Sequence, residues 1–232
     1  TNEWQFLESI ERANFRFFQD QKRGPYDLLN DTAYYDSLYN YPSYSSVAGI
    51  GFELTAICLG HYRGWIPYSN AYEQVLSQLK LFNGMLSTNA LVGERVNGWT
   101  WHTYWIEDSG TNMAGTRFYM DDGLSLLDHS LFMGGCIFVS EYFKGTEAGD
   151  LAHKLYSETT WSWRPNSDYN FGYSENLLAV VESAAAPAFA KGSEARVMWE
   201  SYDEPYPRTL QLYFWQYPHA WIDFRFRWDG RG

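Results

Sequence analysis

Cysteine is almost absent from this chain, with two residues in 232, Cys58 and Cys136. Both fall in apolar runs, Ala56-Ile57-Cys58-Leu59 and Gly134-Gly135-Cys136-Ile137-Phe138, and read as small buried side chains. A disulfide framework or a zinc site would need loop cysteines or paired spacings, which are missing. Basic charge is scarce too: 17 Lys and Arg stand against 28 Asp and Glu, a net charge of −11, with a pI of about 4.8. That balance excludes a phosphate-reading surface for nucleic acid and disfavours anionic membranes. A neutral polymer meets no such penalty, although acidity also serves plain solubility. No run reaches the ~18 apolar residues of a membrane span. The N-terminus lacks a basic-then-apolar leader, and a signal removed before Thr1 is compatible with that.

What is present is a core and an excess of rings. Hydrophobic residues make up 45% and aromatic residues 19%, with 11 Trp, 19 Tyr and 15 Phe. This is enough for one globular domain over residues 1–232. Many Trp and Tyr lie in loops containing Gly and Asp rather than in helical stripes. Exposed rings suit sugars, whose C–H faces stack on them; the alternative is that they fill the core.

Apolar spacing predicts six helices: about Asn2–Gln21, Val47–Tyr62 after a Ser45-Ser46 cap, Ser69–Met85, Leu124–Phe143, Glu147–Trp163 and Tyr173–Ala186. A short strand or hairpin is expected around Trp99–Trp105. Long aromatic loops at alternate junctions are where function is expected. The fold class read from this rhythm is all-α: helical hairpins of an (α/α)6 toroid, incomplete or contracted, with one short β-hairpin. A closed ring needs twelve helices, so six make about half.

Glycoside hydrolysis needs a proton donor and a second carboxylate. Glu175, in Tyr173-Ser174-Glu175-Asn176, follows an aromatic loop that includes Tyr169 and opens an apolar helix. Desolvation there would favour a general acid, whereas capping and the helix dipole would place a Glu at the same position for structural reasons and lower its pKa. Asp128 lies one turn into an apolar helix, where an unpaired charge is costly, so it either faces substrate or pairs with a nearby Arg, His or Trp. Asp121 and Asp122 read as turn and cap residues or as site carboxylates. Trp99, Trp101, His102 and Trp105 form either a sugar platform or a core hairpin with a satisfied histidine. His219 and Asp223, four apart, either bind substrate or fix the chain.

Several segments, taken in order, resemble a known glycoside hydrolase family, that of the putative-glucoamylase and endo-β-1,2-glucanase type. They are Ser46-Val47-Ala48-Gly49-Ile50-Gly51-Phe52-Glu53-Leu54, Arg63-Gly64-Trp65-Ile66, Leu124 to Gly135, Tyr173-Ser174-Glu175 and His219-Ala220-Trp221-Ile222-Asp223. The resemblance implies an (α/α)6 barrel acting on β-linked glucan, β-1,2-glucan first, with inversion. It implies Glu175 as proton donor and Asp128 in the same cleft, with Trp99, Trp101, His102, Trp105, Asp122, Tyr169, His219 and Asp223 shaping subsites. No metal or cofactor is implied. The partner is an oligo- or polysaccharide, and the expected location is periplasmic or secreted. This sequence departs from the family at His129, where the family has Thr. The segment between Trp163 and Tyr173 is shorter than the family's, and family chains continue past the last motif. On this reading Thr1–Gly232 is the N-terminal part of a barrel, with the general base outside it, and an incomplete ring would leave apolar faces for a second copy to cover. A non-catalytic glucan-binding protein is the alternative.

Overall fold

The computed structural model describes residues 2–33, 43–86, 91–108, 110–111, 113–117, 123–161, 176–186 and 220–221. Among these the chain forms six helices: α1 (Glu3–Asp20), α2 (Val47–Tyr62), α3 (Tyr68–Phe82), α4 (Leu126–Tyr142), α5 (Glu147–Ser157) and α6 (Asn176–Ala185). Local chemistry sets most of their starts. Asn2 and Gln5 close a reciprocal capping box on α1, and the Ser46, Ser125 and Thr146 hydroxyls cap α2, α4 and α5. α3 begins at Tyr68 behind Pro67, one residue before the expected Ser69, and has no side-chain cap. The fifth helix stops at Ser157 rather than Trp163, because the Thr159 hydroxyl folds back on the last turn of the helix and Thr160 bonds a distant segment. The Thr159 hydroxyl donates to Leu155 O at 3.1 Å, and Thr160 N–H donates to Asn97 O at 2.9 Å.

Two kinds of helix alternate. α2 and α4 are apolar nearly all round and buried on most sides, while α1, α3 and α5 are apolar on one face. α2 packs on α4 and α4 on α6, while α3 lies beside α5. The order is that of successive hairpins of an incomplete helical toroid, with α2, α4 and α6 inside. The α2–α4 contact is close because glycines meet there. A Cβ on Gly51 would lie 2.1 Å from Leu131 O, and one on Gly135 2.3 Å from Gly51 O. Further along, His61 Nδ1 is 2.6 Å from Tyr142 Oη. Early residues thus face early residues and late face late, so α2 and α4 run in the same direction.

α1 runs opposite to α2, with Phe15 packed on Gly60 and Glu11 paired to Arg63 at 2.9 Å. Its first two turns therefore extend past the end of α2, and Trp4, Phe6, Leu7 and Ile10 are exposed. Only Phe15 of this helix is buried, so most of its apolar stripe does not reach the core.

The chain is mainly helical as expected, with more strand than the one short β-hairpin anticipated. Three two-stranded antiparallel sheets are present: β1 (Lys22–Arg23) with β2 (Leu28–Leu29), β3 (Tyr44–Ser46) with β6 (Thr103–Trp105), and β4 (Arg95–Val96) with β5 (Trp99–Thr100). The last is a tight hairpin in which Asn97 and Gly98 both take positive φ, 53° and 86°, as a two-residue type I′ turn requires. Lys22 reaches into the interior to pair with fully buried Glu53 at 2.7 Å. Burial raises the Glu53 carboxyl against the pull of that ammonium. Cys58 and Cys136 are free and buried, and burial pushes the Cys58 thiol up to about 12. No helix among the described residues is long and apolar enough to cross a membrane.

Candidate functional site

The β3–β6 ladder brings the loop at Trp101 and His102 to the end where α2 and α4 both begin. Tyr44 pairs with Trp105, Ser45 with Tyr104 and Ser46 with Thr103. The main chain of His102 then ties the two helix starts together. Its carbonyl accepts from Val47 N–H, the first residue of α2, at 2.9 Å, and its N–H donates to Gly123 O, just ahead of α4, at 3.3 Å. Its side chain completes the tie, with Nε2 3.2 Å from Asp128 Oδ1. Since Oδ1 can only accept, Nε2 carries the proton.

Asp128 sits in the first turn of α4, where the macrodipole favours a negative charge. Its N–H donates to the Ser125 hydroxyl at 3.2 Å, and that hydroxyl donates in turn to Asp128 Oδ2. Burial alone would raise the carboxyl; the hydrogen bond and charge of His102 and the bond from Ser125 outweigh it and hold Asp128 below its usual range. Asp128 is therefore an ionised group, suited to a base or to electrostatic stabilisation rather than to proton donation. Of the two readings for this residue, the pairing with a nearby histidine is what the structure shows, and both side chains keep some exposure, 28% for His102 and 22% for Asp128.

Rings and further polar groups lie on the neighbouring segments. Trp101 is half-buried, donates its N–H to Tyr104 Oη at 3.1 Å and carries the Arg117 guanidinium 4.4 Å from its ring centre. Trp105 is half-buried in β6. Asp31 accepts from Ser46 Oγ at 2.5 Å and from Tyr44 Oη at 3.3 Å. Carboxylates, an imidazole, a guanidinium and ring faces at one end of the inner helices are the mixture that recognises hydroxyl-rich, C–H-faced ligands.

One expected site residue is corrected. Trp99 is fully buried, donates its Nε1–H to Thr160 O at 3.1 Å and stacks on His129 with ring centres 4.5 Å apart. It is a core residue with no face for a sugar. His129 is the satisfied core histidine. Thr100 N–H donates to its Nδ1 at 3.3 Å, so Nε2 holds the proton and donates to Thr159 Oγ1 at 3.2 Å. Burial lowers its pKa to about 3.

Glu175, Asp122, Tyr169, His219 and Asp223 lie outside the described residues. Trp221, between the last two in sequence, is described. Its Nε1 donates to Thr55 Oγ1 at 3.0 Å, its ring lies 4.8 Å from that of Phe52, and it covers Gly134, where a Cβ would come within 2.8 Å of the indole. Trp221 thus plugs the groove between α2 and α4. Sequence reasoning passed over Arg117 and Asp31, which carry no local signal. It also passed over Ser125, whose Ser-x-x-Asp spacing to Asp128 is a capping pattern.

No protein-family model matches the chain, and no curated protein does either. Solved structures do. An endo-β-1,2-glucanase from Chitinophaga pinensis, crystallised with sophorotriose and glucose, superposes with a TM-score of 0.65 at 19% identity, over 84% of this chain and 50% of its own. Over that stretch the chain has the same fold as this protein. A β-1,2-glucanase from Parabacteroides distasonis shares that fold at TM-score 0.65 and 17% identity, over 87% of this chain and 30% of its own. So does a putative glucoamylase from Bacteroides fragilis NCTC 9343, at TM-score 0.66 and 19% identity, over 84% of this chain and 50% of its own. The resemblance read from the sequence motifs and the likeness of fold point to the same group. The chain spans half or less of the length of these three proteins.

Proposed function

We propose that this chain is an arc of an (α/α)6 barrel from a glycoside hydrolase that cleaves β-glucan, β-1,2-glucan being the first substrate to test. The observation that carries the reading is the His102–Asp128 pair where α2 and α4 begin, with Trp101, which carries Arg117 on its ring, next to His102 in the chain. The fold shared with two β-1,2-glucanases supports it.

Glu175 immediately precedes α6 and is the proposed general acid, donating its proton to the leaving glycosidic oxygen. Asp128, held ionised, is the complementary carboxylate: it stabilises positive charge at the anomeric carbon or orients the attacking water. Inversion calls for carboxyls about 6.5–9.5 Å apart with water between them. His102 fixes the orientation of Asp128, and Trp101, Trp105, Asp122, Tyr169, His219 and Asp223 line subsites.

Release of reducing sugar from linear β-1,2-glucan, beside β-1,3-, β-1,4- and α-1,4-glucans, tests this with Glu175→Gln as control. Turnover of one β-glucan that falls at least ~10³-fold in the variant is expected, as for loss of a general acid. Turnover unchanged in Glu175→Gln would remove Glu175 from the role. Half-length coverage of the structural neighbours favours one second reading, a glucan-binding arc without turnover. Affinity electrophoresis in the same glucans would then show retardation with no sugar released.

A further inference from the structure

Glu182 lies inside α6 with 2% exposure, and among the described residues neither of its carboxylate oxygens has a hydrogen-bond partner. From α4, the Ser130 hydroxyl approaches the carboxyl without a bond of ordinary geometry. Cys136, also on α4, is near enough for a charge on Glu182 to raise its thiol. From α5, Tyr156 donates its hydroxyl to the Glu182 main-chain carbonyl at 2.7 Å, and its phenol feels the same charge. Both titratable neighbours can only become anions. Arg95, whose field reaches Cys136, is paired with Glu158 at 2.7 Å, and no ion pair to Glu182 exists among the described residues.

A carboxylate ionised in this position would be a desolvated charge with no counter-ion among the described residues. Burial accordingly pushes the Glu182 carboxyl well above the usual range. We propose that α6 docks on α4 through a protonated Glu182 and leaves that helix when the carboxyl ionises, so that the α4–α6 contact is a proton-controlled latch that opens as pH rises.

The direction follows from linkage. In the released helix the side chain titrates near ~4.3, and in the docked helix at a higher pH. Docking is therefore at full strength below ~4.3, weakens as pH climbs toward the raised value, and falls no further beyond it. The connection to chemistry rests on the reading above: Glu175 adjoins α6, so release of this helix would take the proposed acid out of place.

The two free cysteines allow a test that needs no substrate. Cys136 lies in the α4–α6 contact, whereas Cys58, on α2, is buried without sensing Glu182. Iodoacetamide labelling, located by mass spectrometry, would be compared in wild type, Glu182→Gln and Glu182→Leu at matched pH from neutral to alkaline. The expected result is Cys136 labelling at least about tenfold faster in wild type than in either variant at the alkaline end, the equivalent of one pH unit of linkage. Cys58 labelling would be the same in all three. Equal Cys136 labelling in the three proteins at every pH overturns the latch. So does a parallel rise at Cys58, which would report unfolding of the whole domain. Failure of glucan hydrolysis leaves this result untouched, so the two proposals fail separately.

Discussion

His102 joins the starts of two parallel inner helices by its contact with Asp128, Nε2 to Oδ1 at 3.2 Å, while its carbonyl accepts from the first N–H of α2. One residue thus serves both the framework and the candidate site. Because the carboxyl of Asp128 lies below its ordinary range when folded, it contributes stability above its unfolded pKa of ~3.9, and that contribution is lost as pH falls through the folded value.

Asp128→Asn is therefore expected to cost about 1–3 kcal/mol at neutral pH, the size of a charge-assisted hydrogen bond. The difference from wild type should shrink as pH falls below ~4. Urea unfolding at neutral pH and at the acid end measures it. A difference that does not change with pH would mean that packing, not charge, makes the contact.

Trp99 and Trp101 are two residues apart and differ in kind. Trp99→Ala removes a fully buried ring and should destabilise the domain by about 3–5 kcal/mol. Trp101→Ala should cost about 1 kcal/mol or less, as for a partly exposed ring, and weaken glucan binding at least about tenfold, as for a ring that stacks on ligand. Denaturant midpoints and affinity electrophoresis on the same pair of variants separate the roles. Equal binding by wild type and Trp101→Ala would take Trp101 out of the site.

His129 governs a different acid window. Its folded pKa of about 3 lies below the ~6.5 of an exposed imidazole, so the unfolded chain takes up its proton first. Stability should fall as pH drops from ~6.5 toward the folded value, by up to roughly 5 kcal/mol if the whole shift is expressed. His129→Asn, which removes the ring that accepts from Thr100 N–H and donates to Thr159, should be less stable than wild type at neutral pH and flatter across that window. Thermal unfolding between pH values on either side of the window checks both halves of the statement.

Much of the helical frame was legible in the sequence. Ser46 is a cap written locally and read as such, and the all-round apolarity of α2 and α4 announced burial. The β3–β6 pairing was not legible, because Tyr44 meets Trp105 only through the fold and no periodicity records a contact between distant segments. Trp99 was misplaced among the sugar-facing rings because alternation cannot say which face of a hairpin is wet. The stop of α5 at Ser157 was missed because Thr160 bonds to Asn97 in a distant loop. The signal that singled out Asp128, a charge in an apolar helix, was equally present at Glu53 and Glu182. Burial of both shows that such a signal finds carboxylates under constraint and does not by itself sort sites from cores. Glu175, the residue on which the catalytic reading turns, lies outside the described residues and so is tested by its variant.

The meeting of Gly51 and Gly135 has a mechanical meaning. Where two helices touch through side chains, rotamers can yield and the helices can slide; where main chain lies on main chain there is nothing soft to compress. α2 and α4 form a single stiff beam, with His61–Tyr142 at one end and Val47–His102–Asp128 at the other. A rigid beam decouples aim from content: the aromatic loops mounted on it are free to change their rings as substrates change, while the glycine joint tolerates no side chain at all.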